Sequence, residues 1–143
     1  MSNFAESLKE LIFDCNYDQK TLAISLGISA SRITDYLKNE KLPTVENAIK
    51  MADFFHCSLD YLLGRTDDFE KKEYFSCPPF PQRLNELKIH FGCTDNSIYT
   101  AAKISRSVFY EWKRGRHLPS VKNLIKLAEY FDCSVDFILG REQ

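Results

Sequence analysis

The side chains grouped densely enough in this chain to do chemistry are cations. Residues 103–117 hold Lys103, Arg106, Lys113, Arg114 and Arg116 against a single acid, Glu111, and end on His117. Residues 27–41 hold Arg32, Lys38 and Lys41 against Asp35 and Glu40. Clustered cations neutralise phosphate, and that term dominates both the affinity of nucleic-acid binding and its salt dependence. On charge alone the later segment, at +4 against +1, is the stronger phosphate binder.

Catalytic constellations are missing from the sequence. There is no Gly-rich phosphate loop and no His-Glu-x-x-His, and His56, His90 and His117 stand apart from any Cys or carboxylate pair at ligand spacing. Cys15, Cys57, Cys77, Cys93 and Cys133 are odd in number and form no Cys-x-x-Cys pair, which fits neither a complete disulfide framework nor a zinc ribbon. We read them as reduced thiols, with Cys57 and Cys133 as small buried hydrophobes. The chain is expected not to be an enzyme and to use no metal, cofactor or small-molecule substrate.

The cations must be held by something folded. With 143 residues, 44% hydrophobic and 27% charged, the chain has room for one ordinary domain or two very small ones. No stretch approaches the roughly 20 apolar residues of a membrane helix, and residues 1–9 carry Glu6 instead of a basic leader pattern, so the expected location is cytoplasmic, away from membranes. The net charge of −1 argues against a protein coated in nucleic acid, but the charge is uneven. Residues 1–66 carry −2, residues 67–79 carry −2 and residues 80–143 carry +3.

An internal repeat organises the chain. At an offset of 76, Leu42-Pro43-Thr44-Val45 returns as Leu118-Pro119-Ser120-Val121, and Phe55-His56-Cys57-Ser58-Leu59-Asp60 returns as Phe131-Asp132-Cys133-Ser134-Val135-Asp136. Residues 4–65 and 80–141 align without a gap at 21 identities in 62 positions. Two copies of one small fold are therefore expected, 1–66 and 80–143, joined by a linker over 67–79 that contains Asp67-Asp68 and Pro78-Pro79.

Within each copy the apolar spacing is helical. Phe4, Leu8, Leu11 and Ile12 form one stripe, and Val45, Ala48, Ile49, Ala52 and Phe55 form another. Ser29, Thr44 and Ser58 are placed to cap helices, and Gly64 to close one. The pattern predicts helices over 4–14, 19–26, 29–38, 44–55 and 59–63, then the same set 76 residues later. Most of Phe54, Phe55 and Tyr61, with Tyr130, Phe131 and Phe137, are expected in the cores.

The second and third predicted helices of copy one read Gln19-x-x-Leu22-Ala23-x-x-x-Gly27-Ile28-Ser29 and continue to Lys38. Ala23 is small where two helices cross, Gly27 permits a tight turn, and Leu22, Leu26, Ile28, Ile33 and Tyr36 hold the second helix at a fixed angle. Copy two adds Trp112-Lys-Arg-Gly115-Arg-x-Leu-Pro119, and both copies end on Cys-Ser-x-Asp-x-x-Leu-Gly-Arg. In these motifs the chain resembles the phage-repressor-like, or XRE/Cro-type, helix-turn-helix regulators.

The resemblance covers both copies and implies an all-α chain of two tandem five-helix lambda-repressor-like helix-turn-helix domains, each with its third helix in the DNA major groove. Carried over by position, it implies base contacts from Ala30, Ser31, Arg32 and Asp35 in copy one and from Arg106, Ser107, Val108 and Glu111 in copy two. Phosphate contacts would come from Gln19, Ser29, Lys38 and Lys41, and from Ser105, Lys113, Arg114, Arg116 and His117. Asp35 and Glu111 have a competing role as ion-pair partners of Lys38 and Arg114 on their own helices. Trp112, at the position of Tyr36, is expected in the core.

Copy two departs from the motif at three places: Asp95 stands for the Gln, Tyr99 for the Ala and Lys103 for the Gly. A ring at position 99 must widen the helix crossing or turn outward. The function implied is a sequence-specific double-stranded DNA-binding transcriptional regulator, in the repressor mould. The alternative is a protein-interaction module, antirepressor- or antitoxin-like, built on degenerate helix-turn-helix surfaces. A homodimer or a partner protein is compatible with either. Half-sites one DNA turn apart lie about 34 Å from each other, and a linker of about 14 residues extended at about 3.3 Å each reaches roughly 46 Å. Phe69, Tyr74 and Phe75 could instead pin that linker to a domain.

Overall fold

The computed structural model describes residues 3–142, and among them there are helices and loops and no strand. The chain divides into two compact units, Met1–Tyr74 and Phe75–Gln143. The first holds α1 (Phe4–Asp14), α2 (Gln19–Leu26), α3 (Ala30–Leu37), α4 (Val45–Phe55) and α5 (Leu59–Leu62). The second holds α6 (Phe80–Phe91), α7 (Asp95–Ala101), α8 (Arg106–Lys113), α9 (Val121–Phe131) and α10 (Val135–Leu139). Bounds and order follow the spacing of apolar residues in the sequence to within a residue or two.

Helices α3, α4, α5, α8, α9 and α10 begin where they do because a hydroxyl stands at each start. Ser29, Thr44 and Ser58 accept from the backbone N–H groups of Arg32, Asn47 and Tyr61, and Ser105, Ser120 and Ser134 repeat this with Val108, Asn123 and Phe137. Each such cap stabilises its helix by about 1 kcal/mol. The α4 and α9 helices end on residues in the left-handed region, His56 at φ 55° and Asp132 at φ 53°. The following N–H of Cys57 or Cys133 then turns back to the carbonyl of Ala52 or Ala128, at 3.0 Å in both units.

Leu8, Leu22, Ile33, Met51, Ala52 and Leu62 are fully buried in the first unit, as are Leu84, Leu87, Ile98, Phe109, Trp112 and Ile138 in the second. Cys57 is buried as expected, whereas Cys133 is half-buried. Phe55, Tyr61 and Phe131 are in the core, but Phe54, Tyr130 and Phe137 are only half-buried at its edge.

The interval expected as a linker packs on the units at its two ends and forms no helical turn. Phe69 sets its ring against Tyr61 at 5.2 Å, the N–H of Lys72 donates to the His56 carbonyl at 3.1 Å, and His56 Nδ1 meets Glu73 at 3.1 Å. From Phe75 onward the chain belongs to the second unit, where the Phe75 N–H donates to the Arg141 carbonyl at 2.8 Å.

Each unit closes with an ion pair from its repeated Asp and Arg. In the second unit Asp136 and Arg141 are both 1% exposed and joined directly, while Arg83 donates to the Phe137 carbonyl and lies over the Phe137 ring at 4.7 Å. In the first unit Asp60 and Arg65 meet at 2.5 Å but are 15% and 26% exposed. Removing one partner of a buried pair strands the other charge, whereas water partly rescues a shallower one. Asp136→Ala is therefore expected to cost about 3–5 kcal/mol in urea unfolding of the second unit. Asp60→Ala is expected to cost about 1 kcal/mol in the first.

Candidate nucleic-acid interface

The turn between α2 and α3 is set by Gly27, at φ 67°, which lets the Ile28 N–H return to the Ala23 carbonyl at 3.1 Å. Ser29 then caps α3, and Ile33 and Tyr36 bury its inner face. Tyr36 is fixed further by the Asn47 side-chain amide, which donates to its hydroxyl at 3.1 Å. With the inner face anchored, Ala30, Ser31 and Arg32 are exposed together, with Thr34 and Asp35 half-buried beside them.

The second unit reaches the same turn with different residues. Lys103 takes the left-handed conformation at φ 58°, which costs a non-glycine residue about 1–2 kcal/mol. The Ile104 N–H still returns to the Tyr99 carbonyl at 2.9 Å, and the Lys126 ammonium donates to the Lys103 carbonyl at 3.2 Å. Tyr99 does not turn fully outward: it is half-buried, with its ring 5.5 Å from that of Phe109. The larger Phe109 and Trp112 replace Ile33 and Tyr36 beneath the helix and are 0% and 1% exposed. Trp112 is thus core. Arg106, Ser107 and Val108 are exposed on α8, with Tyr110 and Glu111 half-buried.

The candidate phosphate ligands fall into two groups. Gln19, Ser29, Lys38 and Lys41, like Ser105, Arg114, Arg116 and His117, are exposed around the outer faces of α3 and α8. Gln19 accepts from the Thr34 hydroxyl at 3.3 Å, tying the start of α2 to α3. Ser29 and Ser105 are engaged as caps. Glu111 pairs with Arg114 at 3.3 Å, as its spacing implies, and also with Arg116 at 3.6 Å. Asp35 pairs with Lys41 at 4.0 Å, not with Lys38 as the i, i+3 spacing implies. The helix ends at Lys38, and the chain turns back through Asn39 at φ 61°, which brings Lys41 over Asp35.

Lys113 stands apart. It is pulled onto Asp95 at 2.5 Å, and Lys88 reaches the other carboxylate oxygen at 2.8 Å. Burial pushes the Asp95 carboxyl up, but the hydrogen bond from Lys113 and the ion pair with Lys88 outweigh it and hold the group below its ordinary value of 3.8. The same hydrogen bond lifts the Lys113 ammonium above 10.5. The repeat places Ile12, Gln19 and Leu37 at these three positions in the first unit, where they line a shallow depression with Lys9, Phe13 and Tyr17. One corner of the fold is therefore ionic in the second unit and largely apolar in the first.

Three contributors escaped sequence reasoning. Tyr110 lies under both Arg106, at 5.5 Å, and Lys113, at 5.3 Å, so its ring steers two cations at once. Arg106 and Tyr110 are four apart on one helix, a spacing that signals such a contact. Thr34, at the repeated position, bonds Gln19. Lys88 carried no signal, because its partner Asp95 comes from the next helix.

The Asp95 pair gives a signed pH dependence. A depressed carboxyl stabilises the fold above its ordinary value of 3.8 and loses that contribution as pH falls through the lower folded value. A raised ammonium stabilises below 10.5 and loses its contribution as pH rises through the higher folded value. Asp95→Asn should thus destabilise the second unit by about 1 kcal/mol at neutral pH. The difference from the parent in urea midpoint should shrink once the pH drops below 3.8.

Comparison with known proteins follows the same division. The chain is 40% identical over 71 residues to the cryptic phage CTXphi transcriptional repressor RstR of Vibrio cholerae, covering 50% of this chain and 63% of that one. It is 28% identical over 71 residues to the HTH-type transcriptional regulator ImmR of Bacillus subtilis, covering 50% and 56%. A crystal structure of a transcriptional regulator from Listeria innocua aligns with 50% of this chain and 64% of its own at 25% identity and a TM-score of 0.38. The chain spans less than two thirds of the length of each of these relatives. The profile of the helix-turn-helix family matches residues 8–62 and again 86–138, one match in each compact unit. This chain belongs to the helix-turn-helix family and carries its fold twice.

Proposed function

We propose that the chain is a sequence-specific double-stranded DNA-binding transcriptional regulator, acting as a repressor in the cytoplasm, with α3 and α8 as its recognition helices. The observation that carries this reading is the survival of the α7–α8 turn in the second unit. Lys103 is held in a costly conformation there, and Tyr99 is accommodated, in an arrangement that keeps Arg106, Ser107 and Val108 together on an exposed face. The similarity to RstR, a transcriptional repressor, and ImmR, a transcriptional regulator, points the same way. Among the described residues no helix is long and apolar enough to cross a membrane.

In this reading the two units divide the work. Arg106 and Arg32 read base edges, and Lys38, Lys41, Arg114, Arg116 and His117 position the units on phosphates. Glu111 holds Arg114 and Arg116 in place before phosphate arrives, and Lys113 serves the fold through Asp95 more than it serves DNA. Residues 103–117 still present more exposed cation than residues 27–41, so the second unit supplies the larger salt-dependent share of affinity.

Selection of a random duplex pool by the whole protein, followed by anisotropy titration of the enriched sequence at several salt concentrations, tests this. Affinity should fall steeply with salt. Arg106→Ala should lose about 1–3 kcal/mol of discrimination at one base pair. Arg116→Ala should weaken all duplexes alike and reduce the salt slope by about 1. If no duplex is enriched and binding stays negligible at low salt, the DNA reading fails and the protein-interaction module takes its place.

A further inference from the structure

We propose that the first unit binds a small aromatic molecule in a cavity at the C-terminal ends of α1 and α4, seated between Phe55 and Tyr61 beneath residues 69–73. The proposal is independent of the DNA reading and concerns a different face from the exposed residues of α3.

The internal repeat shows what fits. In the second unit the Phe91 ring occupies this place, stacked on Phe131 at 4.5 Å with an interplanar angle of 23° and edge-on to Phe137 at 6.1 Å. The first unit keeps both walls, as Phe55 and Tyr61, but at the position of Phe91 it has Cys15, which brings no ring. The smaller side chain leaves the gap between these walls open, and Cys15, both walls, Phe69 and Lys71 line a cavity of about 520 Å³. That size falls within the range of about 300–1,000 Å³ in which small-molecule sites are found.

The lining suits an aromatic guest with one polar edge. Tyr17 and Phe54, with rings 5.0 Å apart, continue the aromatic wall. Lys71, His56 and Asp14 stand among the lining residues and offer partners to a polar substituent. The Tyr61 hydroxyl donates to Glu10 at 3.1 Å, and burial with that bond pushes its pKa up to about 12, so it is a neutral phenol. The roof rests on Phe69 against Tyr61, Glu73 against His56 and the Lys72 N–H on the His56 carbonyl. Phe69 is itself 48% exposed, a ring only half-used by its own fold. A guest ring stacked on Phe55 would reach Phe69 and tighten that roof.

Indole is the probe, titrated into the full-length protein and followed by amide and aromatic NMR shifts. The expected result is saturable binding at about 1 mM or tighter. Shifts should be confined to residues 14–17, 54–61 and 69–73. Cys15→Phe, which restores the ring present in the second unit, should weaken binding at least tenfold while leaving the second unit's resonances unchanged. If that variant fails to give a folded spectrum, Cys15→Leu, which fills part of the space, is read by the same criterion. No saturable shift, shifts scattered over both units, or a folded Cys15 variant that binds indole as tightly as the parent overturns the proposal.

Discussion

An isolated helix of eight residues does not hold its shape in water, because the first turn costs more than so few hydrogen bonds return. Both α3 and α8 have that length, so their geometry depends on what lies beneath them. Ile33 and Tyr36 anchor α3, and Phe109 and Trp112 anchor α8, each pair one turn apart on the inner face. Removing a ring of this kind from a core costs about 3–5 kcal/mol, several times what a serine cap contributes. The cap fixes where the helix starts, and the buried pair fixes how it lies. The exposed face is a consequence of both.

The two units show how one arrangement tolerates different chemistry. Where the first has Gly27 and Ala23, the second has Lys103 and Tyr99, and the same backbone hydrogen bond forms at the turn. The Lys103 carbonyl takes a hydrogen bond from Lys126, and larger rings are buried below the helix. Around the start of α7 the changes are linked: Asp95 in place of Gln19 is accompanied by Lys88 and Lys113 in place of Ile12 and Leu37. A half-buried acid is stable there only because both cations came with it.

Much of this was legible in the sequence because it rests on local rules. Helix bounds follow from apolar period and hydroxyl caps, the two units follow from the 76-residue repeat, and the burial of Trp112 follows from its alignment with Tyr36. What was not legible depends on where side chains go after the backbone is placed. Lys113 looks like a free cation until α6 and α7 bring Lys88 and Asp95 to it. Lys41 looks unrelated to Asp35 until Asn39 reverses the chain. The cavity beneath residues 69–73 is invisible in either copy alone, since Cys15 and Phe91 are each unremarkable until the repeat superposes them.

The exposed arginines of α3 and α8 do not share a position. Arg106 is the first residue of its helix, whereas Arg32 is the third of its own. At 3.6 residues per turn, two residues separate them by more than half a revolution about the helix axis. Equivalent seating of the two units would therefore aim their arginines at different base pairs. The fold is duplicated but the proposed reading head is not, and under that proposal a duplex that satisfied both units would have two dissimilar halves. Such a site has a direction. It distinguishes upstream from downstream within a single polypeptide, which a symmetric pair of identical subunits on a palindrome does not.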